Sequence, residues 1–471
     1  MKIHKFWLTI CASILLYSSV LAQKSTDSLD FVVIEKIELL GNKKTKPHII
    51  FRELTLKEGD TLRLAKKDSL LARNRANVFN TNLFTIVEMV LVKRQDTNAT
   101  LKIIMHERWY LFPIPLFELS DRNFNEWWTV YGRDLSRTNY GLRFRQDNFR
   151  GRRETIGFTA QFGFTQRFSV AYDIPYLTKS RKLGMTIAGG FGQNRAIAYG
   201  TQDNKLAFAK NTEGNARERW DATVIFSYRP AFYAFHNFTT SYQNLWVSDT
   251  IVKLNPAYYG NGQNKLRYMS AGYTFRYDKR DAQAYALRGH IFKIGFNYIG
   301  FLKQYSLRQI ETNLAWGQYF PIGKGKKWYW DYQLIGQFSY NKSPVFARTL
   351  AVGYGEQLMR GYELYVIPTQ ASAIAKQTFK YRFFDKILNW KHVPIPQFRK
   401  VPMAMFLTFY TDAGYVHDGY FSANNLLQNR PLYGIGTGLD IVTYYNSVIR
   451  INYALNSLGQ ARLYLNFTTD L

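Results

Sequence analysis

Cysteine is almost missing: the 471 residues hold one, Cys11, inside the apolar N-terminal stretch. A chain that loses that stretch has no disulfide, no thiol nucleophile and no Cys-based metal site. The seven histidines (His4, His48, His106, His236, His290, His392, His417) have neither metal-ligand spacing nor a nucleophile partner. His417-Asp418 reads as a polar rim turn, and no catalytic site or cofactor is implied. Long apolar runs are also missing beyond the first residues, and a spanning helix needs about 20 of them. Acids are scarce, with 34 Asp+Glu against 62 Lys+Arg, a formal charge of +28. Such a charge suits nucleic acid or an anionic membrane surface.

The N-terminus chooses between those two. Lys2 and Lys5 precede an apolar run over residues 6–20, and Val20-Leu21-Ala22 offers a cleavage site before Gln23. That order is a secretory signal peptide over residues 1–22. The run is too short, and too broken by Thr9, Ser13 and Ser18, for an anchor. An exported chain meets anionic lipid or lipopolysaccharide rather than nucleic acid.

What is abundant is aromatic: 34 Tyr and 35 Phe, within 17% aromatic residues overall. Residues 155–164 alternate, with Ile156, Phe158, Ala160, Phe162 and Phe164 on one face and Thr155, Gly157, Thr159, Gln161 and Gly163 on the other. Residues 401–409 repeat the pattern through Val401, Met403, Met405, Leu407 and Phe409. The C-terminal strand does so again, with Leu463, Leu465, Phe467 and Leu471 opposite Arg462, Tyr464, Asn466 and Asp470. Arg and Asp are costly against lipid, so the second set should face a wet lumen. At about 22 residues per tilted strand and connection, residues 117–471 hold roughly sixteen antiparallel strands. The predicted fold is an all-β transmembrane barrel over 109–471, preceded by a small α+β module over 31–108 and a short extension over 23–30.

The module reads as β-α-α-β-β. Strands are expected at 31–40, 84–92 and 99–106 and helices at 46–54 and 64–76, with turns at Gly41-Asn42 and Asp96-Thr97-Asn98. A three-stranded sheet leaves an edge on which an extended chain can add, unless the edge is covered and the module is a spacer.

Several motifs resemble one family. Ile37-Glu38-Leu39-Leu40-Gly41-Asn42, Gly59 and Leu83-Phe84 are similar to a POTRA domain. Asn139-Tyr140-Gly141 through Asp147-Asn148-Phe149-Arg150-Gly151 resembles the first strand and hairpin of a BamA/TamA barrel, and residues 172–177 with Pro175 a later strand motif. Asp278-Lys279-Arg280-Asp281 with Arg288-Gly289 is similar to a mid-barrel turn, without the usual proline before the glycine. Met359-Arg360-Gly361-Tyr362 resembles the family's inward loop tip, and Tyr410-Thr411-Asp412-Ala413-Gly414 its partner strand.

The resemblance implies an outer-membrane assembly factor with one periplasmic POTRA domain. Its partners would be unfolded outer-membrane or exported proteins, with accessory periplasmic or lipoprotein subunits. A clamp is expected between Arg360, with Gly361 and Tyr362, and Asp412, with Gly414. Parity places Asp412 in the lumen with Thr408 and Tyr410, within reach of a loop arginine. Gly434, Gly436 and Gly438 would leave room for the tip. Where the family often has a second acid, residues 378–383 offer Lys380 and Arg382, so Glu363 is the candidate additional counter-charge. A lateral gate is expected between the first strand, residues 139–146 with Asn139 and Gly141, and the last, with Leu463, Leu465 and Phe467. Insertion of other proteins is the leading reading. A two-partner secretion pore is the alternative, disfavoured because only residues 23–30 precede a single module, and a barrel lipase or protease lacks its nucleophile.

Overall fold

A computed structural model describes residues 31–467, apart from 94–97, 179, 181, 212–213, 303–306, 326, 342–344, 391–398, 424 and 444–446. The expected signal peptide and extension, the turn residues Asp96 and Thr97, and Asp470 and Leu471 lie outside the described residues.

The N-terminal module contains β1 (Phe31–Leu40), α1 (Pro47–Phe51), β2 (Thr61–Arg63), α2 (Lys67–Phe79), β3 (Phe84–Lys93) and β4 (Asn98–Glu107). Its sheet runs β2-β1-β4-β3, with β1 and β4 parallel and the other pairs antiparallel. Ile34, Ile49, Ile50, Val78, Phe84 and Leu101 are buried together beneath the helices. The sheet therefore has four strands rather than three. β2 pairs with residues 31–33 of β1 and covers that edge, which leaves β3 as the free one among the described residues. Three residues are too few for alternation to reveal β2 in a sequence.

Beyond the module lies one sheet of 16 strands, each antiparallel to its neighbour, from Leu111–Leu119 to Ala461–Phe467, with two small two-stranded sheets in its loops, Ala196–Gln202 with Lys205–Lys210 and Leu350–Val352 with Ile367–Thr369. The alternation is the predicted one. In the strand Lys400–His417, Phe406, Thr408, Tyr410 and Asp412 are buried in the lumen, while Leu407, Phe409 and Tyr415 are exposed outside. Phe158, Phe162, Leu463 and Phe467 face outward as well. An exterior of this kind is stable against lipid and costly in water. Among the described residues no helix is long and apolar enough to cross a membrane.

The strand at residues 139–146 is the second, not the first. It lies within Thr138–Phe149, pairs on one side with Glu154–Gly163 and on the other with Leu111–Leu119. The true first strand, Leu-Phe-Pro-Ile-Pro-Leu-Phe-Glu-Leu, carries Pro113 and Pro115. Two prolines argue against a strand unless it lies at a sheet edge, which is where this one lies.

Candidate functional site

Residues 345–370, between the strands Trp328–Asn341 and Ala371–Asn389, lie at the barrel end remote from the module and fold back into the lumen. Met359, Tyr362 and Ile367 are fully buried there. At the tip, Arg360 meets Asp412 through its backbone N–H (3.0 Å) and through Nε (3.0 and 3.1 Å), and Nη2 bonds the same carboxylate. Nη1 donates to Thr378 Oγ1 at 3.0 Å, Nη2 also reaches Gln377 O at 3.2 Å, and the guanidinium lies 4.0 Å from the Tyr410 ring centroid. A planar fork spread over carboxylate, hydroxyl, carbonyl and ring holds the loop in one position, which a point-charge ammonium could not do.

Glu363 is not a counter-charge of Arg360. Its carboxylate accepts from Gly361 N (2.8 Å) and Asn466 Nδ2 (3.3 Å), so it bends the tip and ties it to the last strand. In place of a second acid, the Thr378 hydroxyl accepts from Arg360. Lys380, the next luminal residue, pairs with Asp331 at 2.9 Å, both side chains buried. With Arg360, Lys376, Asp440 and Arg450 these two line a luminal cavity of ≈ 600 Å³.

Of the three glycines, Gly434 makes the space expected for the tip, whereas Gly436 and Gly438 make room for the wall's own side chains. A Cβ on Gly434 would stand 2.2 Å from Arg360 O, and one on Gly436 would stand 2.5 Å from the Tyr410 hydroxyl. On Gly438 it would meet Asn452 Oδ1 at 2.3 Å. Gly361 has φ +91°, a conformation glycine adopts without penalty, and its carbonyl accepts from Asn456 Nδ2 at 2.9 Å. Tyr362 donates to Tyr433 O at 3.0 Å, and Gly414, on the wall, faces Met359 of the loop.

The seam between the first and last strands is the second part of the site. Leu463, Leu465 and Phe467 lie on the last strand, at this seam, whereas Asn139 and Gly141 lie one strand in from it. Among the described residues, no ladder joins Leu111–Leu119 to Ala461–Phe467. A short helix, α3 (Phe124–Thr129), follows the first strand and packs on the last. Asn123 caps it by accepting from Glu126 N at 2.8 Å. Asn125 Nδ2 donates to Leu465 O (3.3 Å), and Asn125 Oδ1 accepts from Leu465 N (3.1 Å). Arg122 donates to the carbonyls of Gly353 (2.7 Å), Glu363 (2.7 Å) and Tyr365 (2.6 Å), so α3 hangs from the clamped loop.

The module docks on the turns at the opposite end. Lys46 N donates to Gly151 O (3.0 Å), Asn148 Nδ2 to Thr45 Oγ1 (2.9 Å), and Arg229 makes a two-pronged pair with Glu53 at 2.8 and 2.9 Å. Tyr110 donates to Leu83 O at 3.0 Å, and burial raises its pKa above the ordinary phenol value. The Asn148-to-Gly151 motif of the sequence is thus a docking turn. Arg122, Asn123, Asn125, Thr378 and Asp331 were not singled out from the sequence. For the first three a signal existed, since Asn123 three residues before Glu126 is a helix-capping pattern.

No family model matches the chain, and no curated protein matches it in sequence. Solved structures do match. BamA from Haemophilus ducreyi lacking POTRA domains 1-3 superposes with a TM-score of 0.52 at 14% identity, over 93% of this chain and 85% of that one. CdiB from Escherichia coli gives a TM-score of 0.51 at 11% identity, over 93% and 75%. The class of protein the architecture defines is a transmembrane β-barrel with an N-terminal α+β module. In fold it is similar to both BamA and CdiB.

Proposed function

We propose that the chain is an outer-membrane insertase whose module is a periplasmic POTRA domain that captures unfolded outer-membrane proteins. The barrel receives the client at its seam, where a client strand pairs with an exposed edge before leaving into the bilayer. One observation carries this reading: the first and last strands share no ladder among the described residues, although α3 brings them together. Unpaired backbone groups are costly in a bilayer, so an open edge is itself a driving force for strand addition and no nucleotide is needed. β3 offers a second free edge, on the module, for the capture step. The excess of cationic residues suits anionic lipid and lipopolysaccharide around the barrel. A loop clamped across the lumen favours insertion over secretion, which requires an open conduit.

The test is reconstitution of the full chain in liposomes with a urea-unfolded small outer-membrane barrel as probe. Folding of the probe, read as a gel-mobility shift, should be several-fold faster than in empty liposomes. An unchanged folding rate together with large ion conductance in a planar bilayer would reject insertion in favour of a secretion pore.

A further inference from the structure

Hydrogen-bond parity identifies which backbone groups face the seam. Asp147 N donates to Tyr110 O (2.7 Å) just before the first strand, and Ser120 N donates to Arg137 O (2.8 Å) just after it. Even-numbered residues between these points therefore address the second strand, and odd-numbered ones address the seam. Pro113 and Pro115 are both odd. Neither has an N–H, so the middle of the first strand's free edge has lost two adjacent donors.

The last strand is the opposite case. Asn456 N donates to Gln460 O (3.1 Å), so even residues address the penultimate strand, and Leu463, Leu465 and Phe467 turn their groups to the seam. None is proline. At Leu465 both groups are already taken, the N–H by Asn125 Oδ1 and the C=O by Asn125 Nδ2. A carboxamide has the donor and acceptor of a peptide unit, so Asn125 makes the pairing that a neighbouring strand would make. Beside it lies an apolar cavity of ≈ 540 Å³ lined by Phe124, Trp128, Leu364, Ile451, Leu463 and Leu465. A helix of six residues has little stability of its own, and α3 is held by Arg122 and Asn123 to the loop.

We propose that the free edge of Leu463–Phe467 is the strand-accepting site of this barrel, and that Asn125 on α3 occupies it until an extended client strand displaces it. The occupant is an extended segment with alternating apolar side chains. The edge supplies its backbone pairing, and the cavity takes a side chain from its apolar face. This inference rests on the insertion reading.

A synthetic peptide of residues 154–163, an alternating strand of this chain, carrying a photoreactive group serves as probe against the full chain in liposomes. In the unmodified protein, labels should map to residues 461–467. Asn125→Leu keeps the volume and removes both hydrogen bonds. It should raise labelling there by about tenfold, the order expected for two bonds of ordinary net strength. Pro113→Val with Pro115→Val restores the two donors, and should move labels to residues 111–119 without touching Asn125. Retained heat-modifiable gel mobility verifies that each variant is folded. Labels on residues 111–119 of the unmodified protein would overturn the assignment, and labelling unchanged by Asn125→Leu would overturn the latch. An edge covered by lipid or by a second copy would show no peptide labels, and either overturns the proposal. Insertion of the unfolded probe barrel is measured on the same liposomes. Normal insertion with labels on the first strand removes only this inference, whereas absent insertion with labels on 461–467 removes only the insertion reading.

Discussion

Arg360 is the residue on which the luminal loop depends. Asp412 is buried and has the guanidinium as its cation. Arg360→Ala would leave that carboxylate uncompensated, a loss of about 3–5 kcal/mol for a fully desolvated pair. The value here falls at the lower end, because the Arg360 side chain keeps 18% of its surface exposed. The expected outcome is a barrel that still forms but shows lower thermal stability and protease cleavage within residues 342–370. Unchanged cleavage would contradict a role in holding the loop. Arg360→Lys should rescue little, since one ammonium cannot serve Asp412, Thr378 and Gln377 together. Gly434→Ala tests the same contact without altering charge. Its Cβ would lie 2.2 Å from Arg360 O, so the tip must withdraw, and the protease pattern should match that of Arg360→Ala.

Elements differ in how much of them a sequence reveals. The module and the barrel have separate sheets, β1 to β4 and then Leu111 onward. Deleting residues 31–108 should leave a barrel that folds in detergent with heat-modifiable mobility. The same deletion should reduce insertion of the unfolded probe, because β3 goes with it; full insertion without the module would make it a spacer. Strands with one face in lipid were legible because alternation there is strict, as in Glu154–Gly163. The Arg360–Asp412 contact was legible too, because the motifs around both residues carry the resemblance, parity put Asp412 inside and Gly434 marked the space for the tip. The first strand was not, because the prolines that protect an edge also suppress strand propensity. Nor was Asn125, whose role depends on a contact with Leu465, 340 positions along the chain, that local patterning does not contain. The pairing of Lys380 with Asp331 was hidden for the same reason: which residues face each other across neighbouring strands depends on register.

At the scale of the molecule, one path of contacts links the lumen to the seam. Arg360 fixes the tip, the Glu363 carbonyl holds Arg122 and Asn123, and Asn125 bonds the last strand. The central claim is that this seam must open for the protein to act. Trp128 and Leu463 both line the seam cavity and are exposed, and the sequence's single cysteine, Cys11, lies in the predicted signal peptide. Trp128→Cys with Leu463→Cys, joined by a short bifunctional thiol reagent that reduction can cleave, would therefore lock α3 to the last strand. In liposomes, the cross-linked protein should keep its heat-modifiable fold and lose insertion of the unfolded probe barrel, and cleavage of the linker should restore it. Insertion by the cross-linked protein at the unlinked rate would contradict opening at this seam.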